Sequence, residues 1–261
     1  MILELYAPAA ALVGASMILL WLLSLRLGNA SIVDLYWGLG FVLIAALTYA
    51  RVGQYSGAHA ALLCGATAAW GLRLSLHLAV RNVGHGEDRR YRALREKYAP
   101  FWWKSLFIVF GLQGVLMLVV ASPVILGQGP RSAPGLTALD LLGLGVFVVG
   151  LAWEVVADLQ LVRFTRDPAQ RGRVLDTGLW RHSRHPNYFG ELVLWWGLGL
   201  MACSTPGAAW AAVLGPATIT WLLARVSGVP MLEAGMKQRR PEYAAYVART
   251  RALVPGPPRR S

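Results

Sequence analysis

The chain has 261 residues, 56% of them hydrophobic and only 15% charged, with a mean hydropathy of +0.48. A soluble domain carries roughly 25% charged residues, so a water-soluble globule is excluded. The net charge of +12 would suit a nucleic-acid ligand, but the basic residues lie between apolar runs, where membrane topology accounts for them; no nucleic acid is expected.

Seven runs reach or approach the ~20 residues a helix needs to cross a bilayer: about 7–27, 31–50, 58–80, 105–127, 136–160, 187–204 and 207–229. Each is expected to be helical, because backbone groups in lipid have to be satisfied within the segment. The first run carries Glu4 and no preceding Lys or Arg, unlike a cleavable signal, and is expected to be retained. Ser31 is placed to N-cap the second helix and Asn187 the sixth. The connections 51–57 and 128–135 are rich in Gly, Pro and Ser and suit tight turns. Residues 86–99 read as a charged interfacial helix, with Trp102 and Trp103 at headgroup depth. In the tail, Pro241 suits the first turn of a helix. Tyr243 and Tyr246 share one face of it, as membrane-surface anchors or as ligand contacts. Cys64 and Cys203 have neither disulfide nor metal spacing, and no metal is expected. No repeat or second domain is evident, so residues 1–261 are expected to form one membrane domain.

Charge sets the topology. Segments 81–104, 161–187 and 230–261 hold 20 of the 25 Lys and Arg, whereas the connections on the other face hold only Arg51 and Arg131. By the positive-inside rule the three basic segments are cytoplasmic. The expected fold is thus an all-α integral membrane protein of seven transmembrane helices, N-terminus outside and C-terminus cytoplasmic.

Ionisable groups inside spans are rare and usually functional. Asp34 opens the second helix beside Tyr36 and Trp37, where the helix dipole alone would also favour a carboxylate. Trp70, Arg73 and His77 lie at helical spacing on the third helix. Glu154 and Asp158 end the fifth, ahead of Arg163 and Arg166. Asp140, at its other end, is expected to be a solvated terminus. Arg181, His182, Arg184 and His185 precede Pro186-Asn187, and Glu191 follows a turn later. Arg225 and Glu233 flank a break at Ser227-Gly-Val-Pro230. Opposite charges gathered on one leaflet imply a cavity open to the cytoplasm. Its arginine-rich part, with Arg73, would hold phosphates; Asp34, Trp70 and His77 would line a drier part. Neither a Walker loop nor a Gly-x-Gly-x-x-Gly is present.

Gly178-Leu-Trp-Arg-His-Ser-Arg-His-Pro-Asn-Tyr-Phe-Gly-Glu191, Gly228-Val-Pro-Met-Leu-Glu233, Pro241-Glu-Tyr-Ala-Ala-Tyr246 and Leu253-Val-Pro255 resemble the steroid 5α-reductase family, in its bacterial branch long described as a domain of unknown function. The Arg-His-Pro-x-Tyr-x-Gly-Glu element is shared with isoprenylcysteine and phospholipid methyltransferases, which use S-adenosylmethionine. The resemblance implies an oxidoreductase that binds NADPH from the cytoplasm and reduces the double bond of an enone lipid such as a 3-oxo-4-ene steroid. It puts Asn187 and Glu191 around the nicotinamide, with Tyr188 and Glu233 in the same motifs. Arg181, Arg184 and His185 would lie at the diphosphate or ribose. Asp158, Arg163 and Arg166 would face the adenosine end, and Arg225 would contact the cofactor. Asp34 falls where the family carries a carboxyl that polarises the substrate carbonyl. The family's third-helix tyrosine, a proton donor, aligns with Trp70, leaving Trp70, Tyr36 or His77 for that role.

Hydride addition to an enone builds negative charge on the carbonyl oxygen, so a donor must be aimed there in a water-poor site. A carboxyl kept protonated by burial would serve, and Asp34 is the candidate. The alternative is a methyltransferase of the same superfamily; the six basic residues of 161–187 favour NADPH, which carries three phosphates where S-adenosylmethionine has none. A channel or transporter is disfavoured because the ionisable groups mark one leaflet rather than a path through both. The expected partners are a lipophilic enone and membrane lipids. A monomer is compatible with all of this, as is a bacterial inner membrane.

Overall fold

Every regular element among the described residues is helical. The structure, a computed structural model, describes residues 2–52, 57–82, 84, 86–130, 135–240 and 242–259, with 237–239 as backbone alone. Six helical stretches are long and apolar enough to cross a membrane. They are α1 (Ile2–Leu27), α2 (Ile32–Val52), α3 (Gly57–Asn82), Phe101–Val120, α8 (Ala138–Arg166) and Ala209–Met236. The remaining expected run forms α9 (Pro186–Ala202), whose 17 residues stand at the short end of the spanning range. Arg131, Pro241 and parts of both expected tight turns lie outside the described residues.

The expected helix at 105–127 is interrupted. It starts at Phe101 as α5 (Phe101–Ser105), widens into a π-helical turn at Leu106–Gly111, and resumes as α6 (Leu112–Val120). It then breaks at Ala121 before α7 (Ser122–Gly127). Pro123 explains the break, since it lacks an N–H and its ring would clash with the carbonyl four residues back. Between α3 and α5 lies α4 (Arg89–Lys97), within the stretch expected to be an interfacial helix; Asp88 caps it by accepting from the Arg90 amide at 2.8 Å. Ser31 precedes α2 but does not cap it: its hydroxyl donates to Asn29 Oδ1 at 2.6 Å and accepts from the Asp88 amide at 3.3 Å. Asn187 lies inside α9 rather than at its cap, its Oδ1 accepting from the Tyr188 amide at 3.0 Å.

The chain divides into two compact units, each discontinuous in sequence. The first comprises Met1–Leu141 and Leu200–Gly215. Here α2 and α3 touch backbone to backbone. A Cβ on Gly38 would lie 2.3 Å from the Gly71 carbonyl oxygen, and one on Gly71 would lie 2.5 Å from that of Gly38. Small residues allow this approach, which drives helix association where lipid cancels the hydrophobic effect. Phe41, Ile44, Leu63 and Trp70 fill the surroundings, with Phe41 edge-on to both Trp37 and Trp70 at 5.3 and 5.5 Å.

At the start of α3 the same unit buries a polar network. His59 and Asp140 are both fully buried, with Nδ1 to Oδ1 at 2.7 Å. Asp140 Oδ1 also accepts from the Ser204 hydroxyl at 2.6 Å, and Oδ2 from the Thr137 amide and hydroxyl at 2.7 and 3.0 Å. His59 Nε2 lies 2.8 Å from the Gly127 carbonyl, which also accepts from Thr205. The Thr205 hydroxyl also lies 3.1 Å from His59 Nε2. The expected solvated terminus at Asp140 is thus a buried carboxyl group held in a hydrogen-bond network with His59.

The second unit comprises Leu142–Gly199 and Pro216–Ser261. Glycines again set the helix crossing. A Cβ on Gly150 would lie 2.4 Å from the Leu194 amide nitrogen, on Gly190 2.6 Å from that of Glu154, and on Gly197 2.5 Å from that of Phe147. The stretch Ala209–Met236 is α10 (Ala209–Trp221), a π-helical turn at Leu222–Val226, and then the start of α11 (Val229–Arg239), with Pro230 in its first turn. The expected break at Ser227-Gly228 is present. The chain ends with α12 (Tyr243–Arg249) and an extended tail.

Candidate functional site

In the second unit the Arg-His-Pro turn is assembled between α8 and the tail. Trp180 Nε1 donates to the Ala157 carbonyl at 3.1 Å, and the Leu179 amide donates to Gln160 Oε1 at 3.0 Å. Gly178 has φ +57° and its Cα faces Gln160, which a Cβ would strike at 2.6 Å. From the other side the tail folds back over residues 181–185. The Arg184 amide donates to the Arg251 carbonyl at 2.9 Å, and the Gly256 amide to that of His182 at 3.0 Å. The Ser183 hydroxyl donates to the Leu253 carbonyl at 2.8 Å. Tyr243 and Tyr246 are buried rather than lipid-facing, and the Tyr246 hydroxyl donates to the Trp180 and Ser183 carbonyls. Burial and the Glu233 carboxylate push the Tyr243 phenol up to about 12.

Arg184 is committed within this clasp. Its Nε and Nη2 donate to Glu233 at 2.8 and 2.7 Å, and Nη1 donates to the Val247 and Thr250 carbonyls. His185 is buried, contacts Glu233 at 3.2 Å and stacks on Tyr188 with ring centroids 5.6 Å apart. Burial depresses its pKa below 6.5, outweighing Glu233, while Arg184 adds to the depression. Asn187 Nδ2 donates to Asp158 Oδ1 at 3.2 Å, joining two expected site residues of α9 and α8. Glu154, Asp158 and Glu191 are buried. Arg163, Arg166, Arg171, Arg173, Arg181 and Arg225 are exposed. Phe164, Gln170, Arg173, Asp176, Thr177 and Glu242 border a cavity of about 480 Å³, and Arg249 pairs with Asp176 at its edge.

In the first unit the structure places Asp34 with two groups that sequence reasoning did not single out. Tyr91 donates its hydroxyl to Asp34 Oδ1 at 2.6 Å, and Arg90 Nη2 donates to Oδ2 at 2.7 Å. Both carboxyl oxygens accept in this arrangement, so Asp34 aims a phenol. Burial, and then the carboxylate, raise the Tyr91 pKa well above the usual phenol range. The segment carrying these residues is strapped to the α1–α2 corner: the Ala30 amide donates to Glu87 Oε1 at 2.8 Å, and Arg95 bridges Glu87 and the Gly28 carbonyl. Although burial works the other way, Arg95 and the Ala30 amide together lower the Glu87 pKa, and Arg90 similarly lowers that of Asp88. Trp70 sits in the α2–α3 core, Tyr36 lies near Ser16 of α1, and Arg73 and His77 are half-buried along α3. The structure therefore groups Asp34 with Tyr91 and not with Tyr36 or Trp70. The one sequence signal for Tyr91 was its place in an otherwise charged short helix.

Among the described residues no cluster of His, Cys, Asp and Glu is arranged to hold a metal. Six apolar spanning helices and two ionisable clusters at helix ends define a multi-pass, all-helical membrane protein. The chain belongs to the family described as "Protein of unknown function (DUF1295)", whose model matches residues 20–250. That family lies in the steroid 5-alpha reductase/isoprenylcysteine methyltransferase-like superfamily. No curated protein and no solved structure matches the chain.

Proposed function

We propose that the protein is an NADPH-dependent reductase of an enone lipid, of the 3-oxo-4-ene steroid class. It would be a seven-span protein with its basic segments in the cytoplasm, in a bacterial inner membrane. The observation that carries the reading is the set of five exposed arginines between 163 and 181, beside the cavity bordered by Arg173. A ligand with several phosphates suits that surface; S-adenosylmethionine, which has none, does not use it. With Arg184 committed to Glu233, phosphate contacts fall to Arg163, Arg166, Arg171, Arg173 and Arg181, while Asn187, which donates to Asp158, and Glu191 serve the nicotinamide end. Bound there, the cofactor would supply a hydride. Tyr91, aimed by Asp34, is the proton donor of this reading, and Arg90 offsets the phenolate that results.

The test is an anaerobic single turnover of purified protein with NADPH and a 4-en-3-one steroid, followed by loss of reduced-nicotinamide absorbance and by product mass. Steroid-dependent oxidation with a saturated product is expected. Binding of S-adenosylmethionine without binding of NADPH would replace this reading by the methyltransferase.

A further inference from the structure

The two faces of α4 do different work. Its inward face is fully committed: Tyr91 and Arg90 hold Asp34, and Arg95 holds Glu87 while its guanidinium lies 4.6 Å from the Phe101 ring centroid. Its outward face carries Arg89, Arg92 and Lys97, all exposed, with Glu96 as the only acidic group among them. Among the described residues none of these three cations has a carboxylate within salt-bridge distance, whereas Arg90 and Arg95 do. The helix lies in the connection between two spanning stretches, and Trp102, Trp103 and Phe107 follow it with exposures of 60, 43 and 64%. Tryptophans so exposed at the start of a spanning helix belong at headgroup depth. That depth puts the three cations in the plane of the lipid phosphates.

We propose that the outward face of α4 is a docking surface for anionic phospholipid headgroups, and that docking holds the 86–98 strap closed over Asp34. The charge complementarity comes from Arg89, Arg92 and Lys97; the depth comes from Trp102 and Trp103. Because Arg90 and Tyr91 lie on the same two turns as Arg89 and Arg92, a headgroup on the outward side restrains the groups that engage Asp34. Gly84 and Gly86 precede the strap at φ +86° and +73°, backbone conformations that glycine adopts without strain. Each basic residue near an anionic surface strengthens association by about five-fold, so removing three removes on the order of a hundred-fold.

Full-length protein in nanodiscs of phosphatidylcholine, with or without phosphatidylglycerol, tests this through amide hydrogen exchange of residues 86–98. Exchange slowed several-fold by phosphatidylglycerol is expected, and R89Q/R92Q/K97Q should abolish that slowing while leaving exchange elsewhere and NADPH binding unchanged. Equal exchange in both lipids would overturn the proposal. So would an equal slowing by inorganic phosphate in neutral discs, which would assign the surface to a soluble anion. So would a lipid effect that survives the triple substitution. Loss of the lipid effect in Trp102→Ala/Trp103→Ala with the cations intact would support the depth argument.

Discussion

Substituting Asp140 tests the most demanding element of the first unit. Asp140→Asn preserves shape but turns one acceptor oxygen into a donor. The carboxylate accepts from His59, Ser204 and twice from Thr137, so the amide leaves at least one of these donors facing another. Both partners are fully buried, and a buried donor left unsatisfied costs about 1–3 kcal/mol. For a chain this size that corresponds to a fall in Tm of roughly 2–12 °C, measurable by thermal unfolding in detergent. His59→Gln in the Asp140→Asn background restores complementarity, since one amide can donate to the Gly127 carbonyl and accept from the other. The double variant is therefore expected to lose about 2 kcal/mol less than the sum of the singles. Additive losses, or an Asp140→Asn cost below about 1 kcal/mol, would refute the coupling of His59 and Asp140 in one buried network.

Gly38→Ala places a methyl 2.3 Å from the Gly71 carbonyl oxygen and is expected to cost about 1–3 kcal/mol as the helices separate, read as a lower Tm. Glu233→Gln leaves Arg184 without its counter-ion, and amide exchange across 243–259 is expected to rise at least ten-fold; unchanged exchange would mean the clasp does not depend on this pair. The His185 pKa is depressed in the folded state, so its contribution is present above pH 6.5 and declines as pH falls below that value. The same tail amides should then exchange faster at pH 5 than at pH 7 after correction for intrinsic rates. Tyr91→Phe is expected to lower enone turnover on the order of 100-fold or more with little change in KM, whereas equal rates would remove Tyr91 from the chemistry. Asp34→Asn should retain part of the activity and Asp34→Ala little, because Asn still aims the phenol.

The spanning helices were legible because lipid leaves the backbone no alternative, and a run of apolar residues reports that directly. Hydropathy carries no information about hydrogen-bond register, so the π-helical turns at Leu106–Gly111 and Leu222–Val226 and the break at Ala121 were invisible in it. Asp34, Asp140 and Arg184 stand out in the sequence as polar groups, but their partners do not. Asp140 looked like a wetted helix end because His59 is 81 residues away. Tyr91 went unselected because it meets Asp34 from 57 residues downstream. Arg184 read as a phosphate ligand because Glu233, 49 residues on, is what occupies it. In each case the sequence shows the cost of burying a charge but not which distant group offsets it.

The π-helical turn at Leu222–Val226 makes chain length itself a structural variable. A wide turn of this kind holds one residue more than the α-helical turn it replaces. The extra residue is absorbed inside that turn, so the helix beyond it keeps the facing that regular winding without it would give. One residue can therefore be removed from Leu222–Val226 with Glu233 still meeting Arg184, whereas a deletion in the regular winding of α10 would turn every later residue by about 100° about the axis. The wide turn is the place in this stretch where the chain can shorten without unfastening the tail.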